Sequence, residues 1–171
     1  MQHELSDTLG ELRTVYNSLQ RDLREAQKLQ QSLVREKHRS TVTGDVSLVL
    51  RSSGHVGGDL VGFFDGGEDL LGLYSIDVSG HGISSALMTA RLAGYLSASA
   101  PKQNVALRQR PDGQYEPRPP AETVHHLNRL FLDEIQTELY FTLLLADVDL
   151  RSGLVRMAQA GHPYPAVQRR D

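Results

Sequence analysis

The chain has 171 residues and a mass of 18.9 kDa, with 39% apolar residues, 23% charged, 6% aromatic, no cysteine and a formal net charge of −3. That is room for one ordinary domain plus a small extra element. Without thiols there is no disulfide framework, zinc ribbon or cysteine nucleophile, so a metal site has to be built from carboxylate, imidazole, carbonyl or water.

Residues 1–40 carry seven Lys/Arg against six Asp/Glu, and 41–171 carry eleven against fifteen. No Lys/Arg cluster is interleaved with aromatics, so nucleic acid is not an expected partner. The longest apolar runs are as short as Leu143-Leu144-Leu145-Ala146, and the N-terminus lacks a basic-then-apolar leader, so neither a membrane span nor a secretory peptide is expected. The expectation is a soluble, cytoplasmic protein without membrane contact.

In chain order, Leu5, Leu9, Leu12, Tyr16, Leu19, Leu23, Ala26, Gln30 and Leu33 follow a 4-3 spacing without a skip over about four heptads. Two readings are open. One is a single amphipathic helix packed on its own domain; the other is a parallel two-stranded coiled coil, weakened by Tyr16, Ala26 and the polar Gln30 at core positions. The stripe ends at Arg35-Glu36-Lys37-His38-Arg39-Ser40, which places a linker or dimerisation helix in 1–40 and a second unit in 41–171. Within that unit, period two predicts strands over Val46–Leu50, Leu60–Phe64, Leu70–Asp77, Leu139–Leu150 and Leu154–Gln159. The turn residues of Asp149–Gly153 make the last two antiparallel neighbours. Helices are predicted over Ile83–Ser99, apolar on several sides, and Pro120–Ile135, opened by Pro119-Pro120. Residues 101–119, with four prolines, are expected to form a mobile surface loop.

The chemistry concentrates in Gly54-His55-Val56-Gly57-Gly58-Asp59 and, eighteen residues after Asp59, Asp77-Val78-Ser79-Gly80-His81-Gly82. Glycines let backbone approach an ion closely, and carboxylates are the hard ligands that Mg²⁺ or Mn²⁺ prefers. Two aspartates on adjacent strands could bridge two divalent ions that bind phosphoryl oxygens and lower the pKa of an attacking water. Equally, both could merely cap turns. A dinucleotide fingerprint at Gly80–Ala86 is disfavoured by the neighbouring Asp77 and by the lack of an acid about twenty residues on. Ser79 and His81 do not make a hydrolase triad, His125 and His126 point apart on their helix, and His162 is expected to be a hydrogen-bonding turn residue.

Together, Val56-Gly57-Gly58-Asp59, Phe63-Phe64, Asp77-Val78-Ser79-Gly80-His81-Gly82, Ala86-Leu87-Met88, Phe141-Thr142-Leu143-Leu144-Leu145 and Ala160-Gly161-His162-Pro163 resemble the SpoIIE/RsbU-type branch of the PPM (PP2C-like) metal-dependent serine/threonine phosphatases. The helix before them resembles the linker that joins such domains to a receiver or sensor module. The resemblance implies an α+β fold, an α-β-β-α sandwich, a two-metal Mn²⁺ or Mg²⁺ site, and dephosphorylation of Ser or Thr on a partner protein, commonly an anti-sigma-factor antagonist. By position, Asp59 and Asp77 would be the catalytic metal ligands, with the Val78 carbonyl completing the site. Gly57, Gly58, Gly80 and Gly82 would shape it, and His162 would be structural. Gly62 stands where the family often has an acid. The family pattern continues with further strands and a late Asp-Gly motif, so 41–171 is expected to be a domain incomplete at its C-terminus. Two functions follow: a phosphatase output domain working as a homodimer through its first helix, or a catalytically inactive module of the same fold that binds a regulatory partner.

Overall fold

A computed structural model describes residues 2–34, 36–51, 54–67, 69–135 and 137–169. Met1, Arg35 and Asp171, which bounded the expected segments, lie outside the described residues. The heptad stripe forms one helix, α1, over Gln2–Gln31. It closes through tight backbone bonds from Ser32 N–H to Leu29 C=O and from Leu33 N–H to Gln30 C=O. Its seam changes character along its length. Leu5, Leu9, Leu12, Tyr16 and Leu19 are 48–63% exposed, Leu23 and Ala26 are half-buried, and Gln30 is buried. Only the C-terminal part therefore packs on the rest of the chain.

Next come two short strands, β1 (His38–Ser40) and β2 (Asp45–Ser47), paired as an antiparallel ribbon. The main sheet holds β3 (Asp59–Asp65), β4 (Leu70–Val78), β7 (Phe141–Asp149) and β8 (Val155–Ala160) in the order β3-β4-β7-β8, all antiparallel. The helices α2 (Ile83–Tyr95) and α3 (Pro120–Glu134) lie on one face, α2 against β3 and β4 and α3 against β7 and β8. Alternation dictates which residues meet them: Leu60, Phe64, Ile76, Val78, Leu143 and Leu145 point at the helices and join Leu92, Leu127 and Phe131 in the core. On the opposite face Arg39 of β1 stacks on the Phe63 ring at 4.4 Å and ion-pairs with Asp65. The fold is α+β as expected; among the described residues the strands outside the main sheet form only three-residue ribbons. No described helix is long and apolar enough to cross a membrane.

The segment expected to be a mobile loop is instead ordered. Residues 101–119 contain a second ribbon, β5 (Leu107–Gln109) with β6 (Tyr115–Pro117). A turn at Gly113, with φ +85°, closes it, and an Arg108–Glu116 ion pair crosses it. Ala106 and Leu107 enter the core, and the buried Asn104 accepts from Ala106 N–H and donates to Ser97 C=O. Proline content masked two adjacent apolar residues that join the core.

Two glycines in the sheet have packing reasons. A Cβ on Gly62 would sit 2.2 Å from the Tyr74 hydroxyl, and one on Gly72 would sit 2.2 Å from the Phe64 ring. In each pair the aromatic residue is the glycine's register partner and lies across it. This accounts for Gly62 where the resemblance led one to expect an acid.

Asp147 occupies the same row as Phe64 and Gly72, is 2% exposed, and its Oδ2 has no hydrogen-bond partner. Arg156, opposite it on β8, comes only to 3.7 Å. Burial raises the Asp147 carboxyl above the usual range and Arg156 offsets this in part. Because the folded value exceeds the unfolded one, stability falls as pH rises through that interval. Asp147→Val is therefore expected to stabilise the protein at pH 7 by about 1–2 kcal/mol and to flatten the decline above pH 4, read by urea denaturation across pH.

Candidate metal and phosphoryl site

The two glycine-flanked aspartates come together. Asp59 opens β3, Asp77 nearly closes β4, and they are direct register partners. Val78 N–H donates to Gly58 C=O at 3.1 Å, which makes 58 and 78 a hydrogen-bonded pair and 59 and 77 the kind whose side chains stand closest. Both aspartates are exposed, on the face away from the helices. Partial burial first, and then the Asp77 charge, raise the Asp59 carboxyl; the His162 charge acts in the other direction. Two like charges held side by side form a site that gains by taking up a cation.

A Cβ on Gly58 would lie 2.3 Å from the Val78 carbonyl oxygen. The missing side chain thus lets the ends of β3 and β4 approach closely beside the two aspartates. Two carboxylates and a backbone carbonyl are the oxygen donors that suit a hard cation. Among the described residues, however, no group of three or more His, Asp or Glu is arranged to hold a metal.

The loop before Asp59 is fixed from two sides. Gln30 Nε2 donates to Gly57 C=O at 2.6 Å, and Gly57 N–H donates back to Gln30 Oε1 at 3.0 Å. The polar residue of the heptad seam is thus the hydrogen-bond partner of Gly57 in the loop before Asp59. Ten residues earlier, Gln20 Oε1 meets the His55 ring at 3.0 Å. From α2, Thr89 Oγ1 lies 3.0 Å from Gly58 C=O and 2.9 Å from Ser85 C=O. Gln30→Ala leaves the buried Gly57 N–H without its partner and Gly57 C=O with only the 3.5 Å Thr89 contact, and is expected to cost about 2–3 kcal/mol in urea denaturation; Gln30→Glu, which sets a carboxylate oxygen against Gly57 C=O, should not restore it.

After Asp77 the chain turns through Gly80 and Gly82, with φ +80° and +86°, conformations that favour glycine, and enters α2. Ser79 N–H donates to Tyr140 C=O and its hydroxyl accepts from Tyr140 N–H, tying this turn to β7. His81 is exposed. Sequence reasoning missed Thr142, which follows Asp77 in the same cross-strand row and hydrogen-bonds the His162 ring at 2.8 Å.

The sequence profile of Stage II sporulation protein E (SpoIIE) matches residues 67–171, more than half of the chain. The chain belongs to the SpoIIE family. The family match includes Asp77, Val78, Thr142 and His162, while Asp59 lies before it. The chain is 29% identical over 153 residues to "Phosphoserine phosphatase RsbP" of Bacillus subtilis (strain 168), covering 88% of this chain and 34% of that protein. It therefore spans about a third of the length of that relative. It is also similar to a crystal structure of the RsbU and RsbW domains of a Mycobacterium tuberculosis protein, with 22% identity, coverage of 67% of this chain and 28% of that one, and a TM-score of 0.46.

Proposed function

We propose that this SpoIIE-family domain is a metal-dependent protein serine/threonine phosphatase output module of a bacterial partner-switching system, acting in the cytoplasm on a phosphorylated partner such as an anti-sigma-factor antagonist. The observation that carries the reading is the in-register Asp59–Asp77 pair at the closely approaching ends of β3 and β4. The name of the phosphoserine phosphatase relative supports the substrate class. Asp59, Asp77 and the Val78 carbonyl would hold Mn²⁺ or Mg²⁺, in a two-metal site. Bound there, such ions supply charge for phosphoryl oxygens and acidify water. The chain's own part is positional: Gly58 lets β3 and β4 approach closely next to the aspartate pair, while Thr89 and Gln30 fix the loop that leads into Asp59. No Ser or Cys nucleophile is required.

The test is Mn²⁺-dependent release of phosphate from a phosphoserine protein, with loss in Asp77→Asn. Turnover indifferent to Mn²⁺ and to that substitution would sink the reading. A second reading, a catalytically inactive binding module of the same fold, is favoured by the presence of only two clustered carboxylates among the described residues. Absence of any Mn²⁺ effect on the melting temperature would select it.

The exposed half of the α1 seam makes a homodimer through that helix part of the proposal, with a receiver or sensor domain preceding it in the parent protein. Burying five residues that are 48–63% exposed is the driving force. Leu12→Asp is expected to convert dimer to monomer in sedimentation equilibrium while leaving the thermal unfolding of the sheet domain unchanged.

A further inference from the structure

We propose that His162, oriented by Thr142, is a substrate-binding residue of the two-aspartate site and donates its Nε2–H to an oxygen of the phosphoryl group. The inference rests on the phosphatase reading above and assigns to His162 more than a turn-forming role. Asp59, Asp77 and Thr142 stand in one row across β3, β4 and β7, each the register partner of the next, so their side chains share one face of the sheet. His162 reaches that row from a different element. β8 ends at Ala160, Gly161 turns the backbone at φ +66°, and a bridge from Gly161 to Leu143 sets the following residue beside Thr142. The ring Nδ1 lies 2.8 Å from Thr142 Oγ1, and Gln159 Nε2 donates to the His162 carbonyl. The residue is thus held at both ring and backbone, and it is half-buried.

Thr142 Oγ1–H is assigned as the donor in this contact, which leaves the ring hydrogen on Nε2. Among the described residues nothing else hydrogen-bonds the ring, so that donor is free for a ligand. The chemistry calls for a donor there. Ionised aspartates offer only acceptors and repel a phosphate anion, so an adjacent N–H gives the phosphoryl oxygens a partner the carboxylates cannot provide.

The experiment uses the full chain with Mn²⁺ and a phosphoserine peptide, and measures kcat, KM and the inhibition constant of inorganic phosphate for the wild type, His162→Ala, His162→Gln and Thr142→Val. His162→Ala is expected to raise KM and the phosphate inhibition constant about tenfold or more. His162→Gln, which keeps a side-chain N–H of similar reach, should recover much of the loss, and Thr142→Val should fall between. An unchanged phosphate inhibition constant in His162→Ala, or Gln behaving like Ala, overturns the assignment even where kcat drops. If the wild type releases no phosphate, the phosphatase reading fails separately. The assignment is then read from the His162 Cε1–H resonance during titration with inorganic phosphate in Mg²⁺. A shift confined to His162 among the histidines supports it, and a stationary signal rejects it.

Discussion

Asp59→Asn is expected to raise the melting temperature of the metal-free protein while removing its Mn²⁺-dependent phosphatase activity. In the fold, burial and the facing Asp77 hold the Asp59 carboxyl above its ordinary range. The unfolded value is about 3.9, so the native state binds the extra proton between that value and the raised one. Stability therefore falls as pH rises through the interval, and the whole penalty is present at neutral pH. Asparagine keeps the shape and removes the charge, so its stabilising effect should appear only as pH climbs above about 4. Mn²⁺ should reverse the ranking. It stabilises the wild type by binding the native state, with an increment that grows with the ratio of metal concentration to dissociation constant, and leaves the variant unmoved. Activity should fall at least about a hundredfold, since even residues that merely orient a metal ligand are worth 10–100-fold. Calorimetry at pH 4 and 7 with and without Mn²⁺, alongside phosphate release, reads both effects. A variant that melts lower than wild type at pH 7 without metal would contradict the charge-repulsion account.

Gly58→Ala is expected to be strongly damaging. The added methyl would lie 2.3 Å from the Val78 oxygen, 3.1 Å from its carbonyl carbon and 3.2 Å from its Cβ. Those neighbours are backbone or attached directly to it, so no side chain can swing away. The strand ends must separate, straining the Val78–Gly58 bond and the Thr89 contact. A cost of about 1–3 kcal/mol is expected from overpacking, with the metal response weakened because parting the strand ends disturbs the Asp59–Asp77 pairing. Gly54→Ala is the control: its nearest neighbour would be the Val56 oxygen at 3.9 Å, an ordinary contact. Urea denaturation and Mn²⁺-dependent melting of the two variants separate a general intolerance of alanine in this loop from a specific need at position 58.

Much of this architecture is legible in the residue pattern, because period two and period 3.6 act locally. The strands at Leu60–Phe64 and Leu70–Asp77 extend by one or two residues at their ends, and α2 stops at Tyr95, short of Ser99. The aspartates could be named from their flanking glycines, but their register could not, since pairing depends on where the connection between β3 and β4 turns. Gln30 is the sharper case. As a polar residue in a heptad it reads as a weak point in a seam, yet its two bonds to Gly57 span 27 positions of sequence that no local rule connects. Thr142 was hidden for the same reason: only the three-strand row makes it a neighbour of Asp77. Gly62 shows the converse, a departure from the family pattern explained by Tyr74 lying across it.

The two glutamines of α1 carry a mechanical meaning. Gln20 and Gln30 touch His55 and Gly57 from points ten residues apart, about 15 Å along the helix axis. A rod pinned at one point can pivot and spin; pinned at two, it has a fixed direction. The loop that delivers Asp59 is therefore the bearing on which a 30-residue shaft is seated, and a rotation of that shaft by a fraction of a helical turn would have to break both glutamine contacts or carry residues 55–57 along with it.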